Sequence, residues 1–154
     1  RHDSALSLSC SSCAATRSCV DERMDWFNTQ LYQSAGYRLV YPQLLEHICL
    51  GEFDSDSNTR LLEVGARETA EWLELLDTHV LGSSNPWVCG QAKTIADYLG
   101  AGHTTMLEWI GQSFESYPNV SAWLKRCKGP ICDRVHEAHD GFVAANRERS
   151  FLTI

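Results

Sequence analysis

Apolar side chains recur at steps of three and four residues along most of this chain, and no turn-bounded segment alternates apolar and polar residues over four or more positions. A period near 3.6 buries one face of a helix, whereas a half-buried strand needs a period of two. The fold class is therefore all-α. Met24, Phe27, Leu31 and Ala35 form a first stripe, which Gly36 is placed to close as the residue after a helix end. Tyr37, Val40, Tyr41, Leu44, Leu45 and Ile48 carry a second stripe, and Pro42 inside it predicts a kinked or restarted helix. After a polar, acidic loop from Gly51 to Asn58, the residues Leu62, Ala66, Ala70, Leu73, Leu76 and Val80 make the longest helical pattern, closed by Gly82.

The next block opens at Thr94-Ile95-Ala96-Asp97, where Thr94 and Asp97 have the spacing of a capping box, each able to satisfy a free amide of the first turn. Ile95, Leu99, Gly102, Met106 and Ile110 continue at helical spacing as a buried central helix, and Gly100 and Gly102 predict close contact, because glycine inside a helix costs about 1 kcal/mol without a packing reason. Tyr117-Pro118-Asn119-Val120 starts a short helix ending near Lys128-Gly129-Pro130, and Ile131, Val135, Ala138, Phe142 and Ala145 outline a last one.

A length of 154 residues fits one domain with one core. With 13 Lys and Arg against 20 Asp and Glu, the net charge of -7 argues against nucleic acid, whose phosphates require a concentrated excess of cations. No apolar run reaches the roughly 18–20 residues of a membrane span, so no membrane partner is expected. Seven cysteines, at 10, 13, 19, 49, 89, 127 and 132, form neither paired zinc knuckles nor a compact disulfide lattice. Reduced thiols in the cytoplasm fit that usage best.

Few constellations point to chemistry. Cys10 and Cys13 have redox-motif spacing without the surrounding strand and helix that tune such thiols, so they read as incidental. Cys132, Asp133, His136, His139 and Asp140 are spaced to share a helix face, but His136-Glu137-Ala138-His139 is one residue short of the zinc protease pattern, and a solvated face is the favoured reading, with no metal. No Gly-rich phosphate loop and no nucleophile elbow occurs. Trp26, Phe27, Tyr32, Tyr37 and Tyr41 gather within sixteen positions. Such a cluster suits either a core or a cleft for an apolar ligand.

Three segments resemble the C-terminal helical domain of soluble glutathione transferases. The run from Asp21 to Tyr32 is similar to that domain's opening helix, with an Arg near its start and a closing Leu-Tyr pair. Leu76 to Asp97, with Trp87-Val88-Cys89-Gly90 ahead of Thr94-Ile95-Ala96-Asp97, resembles the passage into the family's capping-box helix, and Tyr117-Pro118-Asn119-Val120 with Trp123-Leu124 resembles the family's next segment. Lys93 departs from the pattern, standing where the family places the apolar half of a hydrophobic staple. The resemblance implies a helical bundle over residues 21–146, preceded by an arm or short helix over 1–20 and followed by a tail over 147–154.

It also implies a missing half. The family places a thioredoxin-like domain of roughly 80 residues first, and that domain activates glutathione; residues 1–20 are too short to encode it, so no catalytic residue is carried over. What the family assigns to the helical domain is the wall of the second-substrate site, with Trp26, Tyr32 and Tyr37 as lining candidates. The expected function is a ligand-binding or protein-interaction module, predicted inactive as the isolated chain, with a homodimer, a thioredoxin-like domain or a small apolar ligand as partner. The alternative is a fragment or split component of a detoxification enzyme that takes glutathione only when a thioredoxin-like domain is supplied.

Overall fold

The structure, a computed structural model, describes residues 14–128 and 133–154, and within these it is all-α, without a strand. Helix α1 (Ala14–Trp26) runs into two π-helical segments, Phe27–Leu31 and Gln33–Val40, and then into α2 (Tyr41–Leu44). Helix α3 (Asp56–Leu75) ends in a third π-helical segment, Leu76–Leu81; α4 (Ile95–Thr105) ends in a 3-10 turn, Met106–Ile110; α5 (Pro118–Cys127) and α6 (Asp133–Asn146) complete the bundle. Helix α1 thus includes residues 14–20 of the expected arm or short helix, and residues 1–13, with Cys10 and Cys13, lie outside the described residues.

Gly36 does not end the first helix. It lies inside the second π segment, where a Cβ would come within 2.9 Å of the Tyr32 ring, so its missing side chain makes room for a neighbour rather than for a turn. Pro42 falls in the first turn of α2, where its absent N–H is not needed. The expected restart is therefore a change from π to α winding. At the crossing of this long element with α3, a Cβ on Gly65 would come within 2.6 Å of the Arg38 backbone, and Arg38 pairs with Glu68 beside it.

The loop before α3 is shorter than its composition predicts. Ser55 caps the helix by accepting the Asn58 N–H at 3.1 Å, and Asn58 is itself buried, donating to the Phe53 carbonyl at 3.0 Å and accepting the Leu50 N–H at 3.1 Å. Asn58 is thus an organising core residue that polarity alone assigns to a loop.

Helix α4 also turns a different face inward from the expected one. Ile95 and Gly102 are exposed, and a Cβ on Gly102 would meet nothing within 4 Å. The buried positions are Ala96, Asp97, Gly100 and Thr104. Small residues win because Phe27 packs the tip of its ring onto Gly100, 2.3 Å from where a Cβ would stand, and also stacks on Trp123 at 6.1 Å. The core continues through Leu31, Leu39, Leu73, Leu76, Leu107 and Val120. In α6 the inward residues are His139, Val143 and Asn146, whereas Ala138, Phe142 and Ala145 are exposed; Ile131 lies outside the described residues, as does the Val135 side chain.

The C-terminal segment 147–154 packs back onto the start of the bundle. Gln43 donates to the Leu152 carbonyl at 3.1 Å and accepts the Leu152 N–H at 2.7 Å, its own carbonyl accepts Arg149 at 2.8 Å, and Gln112 accepts the Ile154 N–H at 2.8 Å.

Candidate functional site

Two buried carboxylates hold the helices that carry the site. Asp97 is fully buried: one oxygen accepts the Val88 N–H and the Trp123 indole N–H, both at 2.9 Å, and the other accepts the Thr94 N–H at 2.8 Å and the Thr94 hydroxyl at 3.1 Å. Four donors around one carboxylate compensate its desolvation. Thr94 and Asp97 therefore start α4 and also fasten it to the turn before it and to α5. Asp77, in the π segment after α3, does the same for α5, accepting the Asn119 and Val120 N–H groups at 2.8 and 2.9 Å. Lys93 occupies the staple position with its ammonium 4.2 Å from the centre of the Tyr98 ring and 5.2 Å from that of Trp87. A cation on two aromatic faces replaces the apolar contact there.

The aromatic residues divide into two groups. Trp26 packs edge-on against Phe27 at 4.9 Å and against Trp72 of α3 at 6.0 Å. Tyr32, Tyr37 and Tyr41 form a second group, each ring edge-on to the other two at 5.2 to 6.0 Å, and Tyr32 stacks on His103 of α4 at 4.3 Å. The Tyr32 and Tyr41 hydroxyls share a hydrogen bond of 2.9 Å. Tyr32 and Tyr37 are thus brought together and Trp26 is not among their ring partners. Tyr37 is 45% exposed while Tyr32, Tyr41 and His103 are half-buried, which makes a ledge with one open edge.

Its electrostatics are those of a neutral aromatic surface. The hydrogen bond from Tyr41, followed by burial, pushes the Tyr32 phenol above its usual value, away from the phenolate that would activate a thiol. Burial lowers His103, against a smaller opposing hydrogen bond to the Phe27 carbonyl, and its Nδ1 is buried without a hydrogen-bond partner. A neutral imidazole on a tyrosine face offers an apolar plane with polar tips.

Only part of the helical face weighed for metal falls within the described residues. Cys132 and the side chains of Asp133 and His136 lie outside the described residues, and His139 turns inward, its Nε2 3.1 Å from the Thr105 carbonyl and 3.2 Å from Glu108, which Lys128 also pairs at 2.6 Å. Among the described residues no group of three or more His, Cys, Asp or Glu comes together to hold a metal ion.

The family model for the glutathione S-transferase C-terminal domain matches residues 45–129, more than half of the chain. The chain belongs to the glutathione S-transferase C-terminal domain family. Solved glutathione S-transferases share its fold. The protein from Rhodospirillum rubrum superposes with a TM-score of 0.68 at 23% identity, over 82% of this chain and 54% of that one. The human glutathione-S-transferase T1-1 gives 0.70 at 23% identity over 90% and 57%, and the Sinorhizobium meliloti transferase 0.69 at 16% over 95% and 60%. The chain spans little more than half the length of these transferases, and no curated protein sequence matches it.

Within this glutathione S-transferase helical domain, His103 and Tyr41 complete the group that the sequence marks only through Tyr32 and Tyr37. Tyr41 belongs to the visible aromatic run, whereas nothing local to His103 announces a partner on another helix. Among the described residues, no helix is long and apolar enough to cross a membrane.

Proposed function

We propose that this domain binds small apolar molecules on the Tyr32, Tyr37, Tyr41 and His103 ledge, and that it conjugates glutathione only when a thioredoxin-like domain supplies the activating group. The observation that carries this reading is the stacked, neutral Tyr32–His103 pair beside the exposed Tyr37 edge, since ligand walls are mostly apolar planes with a few placed polar atoms. The alternative reading, a component of a transferase-type detoxification enzyme, is favoured by the coverage of 54 to 60% of the solved transferases. Cytoplasmic residence, favoured by free Cys19, Cys49, Cys89 and Cys127, and pairing with a second copy or a thioredoxin-like domain belong to the same proposal.

The test titrates a hydrophobic fluorescent dye against wild type, Tyr37→Ala, Tyr32→Ala and Trp26→Ala, with circular dichroism to verify folding. Saturable binding near 1 μM, about -8 kcal/mol, weakened in both tyrosine variants and kept in Trp26→Ala, supports the ledge. Equal binding in all four proteins, or none in wild type, removes it. Retention of the chain on a glutathione column without an added thioredoxin-like domain would overturn the second half of the proposal.

A further inference from the structure

Cys19 and Cys89 take no part in the ledge. Cys19 lies on α1 one turn before Arg23, on the same helical face, and Arg23 Nε donates to the carbonyl of Val88, the neighbour of Cys89, at 3.4 Å. That face of α1 therefore rests on the tight turn Trp87–Gly90, which is closed by reciprocal backbone hydrogen bonds of 3.0 and 3.2 Å. Cys89 occupies a central position of the turn, beside the Val88 carbonyl that Arg23 reaches from α1, and the Cys19 thiol is among the groups that act on its own. Both cysteines are free and half-buried. The other described thiols are engaged elsewhere, Cys49 with the Glu46 and Gly51 carbonyls and Cys127 in the core beside Asp97.

We propose that Cys19 and Cys89 are a reversible thiol-oxidation site, whose disulfide ties α1 to the turn ahead of α4 and whose oxidant is a low-molecular-weight disulfide. The Cys19 thiolate attacks one sulfur of the small disulfide, forming a mixed disulfide and releasing one small thiolate. The Cys89 sulfur, its proton passing to that released base, then attacks the Cys19 sulfur and expels the second small thiolate, which takes up the proton lost from Cys19. Two protein thiols are oxidised and one small disulfide is reduced to two thiols. Burial pushes the Cys89 thiol up to about 12, so the first attack falls to Cys19 and the ring closure is the slower step.

The experiment incubates the full chain with glutathione disulfide, blocks free thiols with iodoacetamide and maps the peptides by mass spectrometry, in native buffer and in denaturing urea. The expected result is a peptide pair joined through Cys19 and Cys89, formed many times faster in native buffer than in urea, reversed by dithiothreitol, and accompanied by a higher urea midpoint than the reduced protein. Cys89→Ser should stop at Cys19 carrying one glutathionyl group. A wild-type chain that also stops there, that joins Cys19 to Cys10 or Cys13 as readily, or that forms the pair no faster when folded, overturns the proposal. The wild-type map decides the matter even where the serine variant fails to fold.

Discussion

Asp97 concentrates more of the fold than any other described side chain. Truncating it strands the Val88 amide and the Trp123 indole N–H in the interior at once, and each unmatched buried donor costs about 1–3 kcal/mol. Asp97→Ala is therefore expected to lose about 3 kcal/mol or more, beyond the 0.5–2 kcal/mol of an ordinary cap, read as a fall in the urea midpoint at unchanged slope. His103 gives a pH signature. Burial holds its folded-state pKa below the unfolded value of about 6.5, so the unfolded chain binds the extra proton. Above about pH 6.5 neither state is protonated and stability is unaffected; as pH falls from there through the folded value, the unfolded state gains and stability declines. Urea midpoints of wild type and His103→Asn at pH 7.5 and 5.5 check this, and the variant is expected to lose less on acidification.

The two glycines of α4 make opposite predictions. Gly100→Ala drives a methyl into the Phe27 ring, with 2.3 Å where contact requires more than 3.4 Å, and is expected to destabilise by about 1–3 kcal/mol. Gly102→Ala meets nothing and should stabilise by about 0.5–1 kcal/mol. Paired thermal melts would show both signs. The same pair explains how much of the fold is legible in the sequence. Periodicity locates the helices around Phe27 and Leu73, whose stripes are set by burial, but not residues 14–20 of α1, which carry no clear stripe. It also misjudges the inward face of α4 because glycine, alanine and a capped aspartate carry little hydrophobic signal yet permit the closest approach. Gly36 misleads for a related reason: its absent side chain answers to Tyr32 inside a continuing helix, a contact that no stop signal encodes. Asp77 and His103 are invisible because their partners sit on other helices, and the separation of Trp26 from the tyrosines is hidden because a count of aromatics cannot say which side of a helix each one faces.

At the scale of the whole molecule the helices form a bundle closed upon itself, since Gln43 near the start holds the segment at Leu152. Gln43→Ala is expected to release that segment, so that limited proteolysis cleaves around residues 147–152 faster while the helical circular dichroism is retained; unchanged cleavage would mean that the Gln112 bond to Ile154 and the part-buried Phe151 ring, which packs against the core, suffice. The buried carboxylates carry a further consequence when the chain is made rather than melted. Asp77 leaves the ribosome 42 residues ahead of Asn119, its capping partner, and at about 5–20 residues per second it waits roughly 2–8 s for that partner. Asp97 waits in the same way for Trp123. Until then each charge is cheaper left in water than buried, which keeps α3 and the start of α4 from docking prematurely around an unfinished core. Completion of α5 is then the event that lets both acids go inside, and a nascent chain stalled short of Trp123 should remain open to protease however much of its helix has already formed.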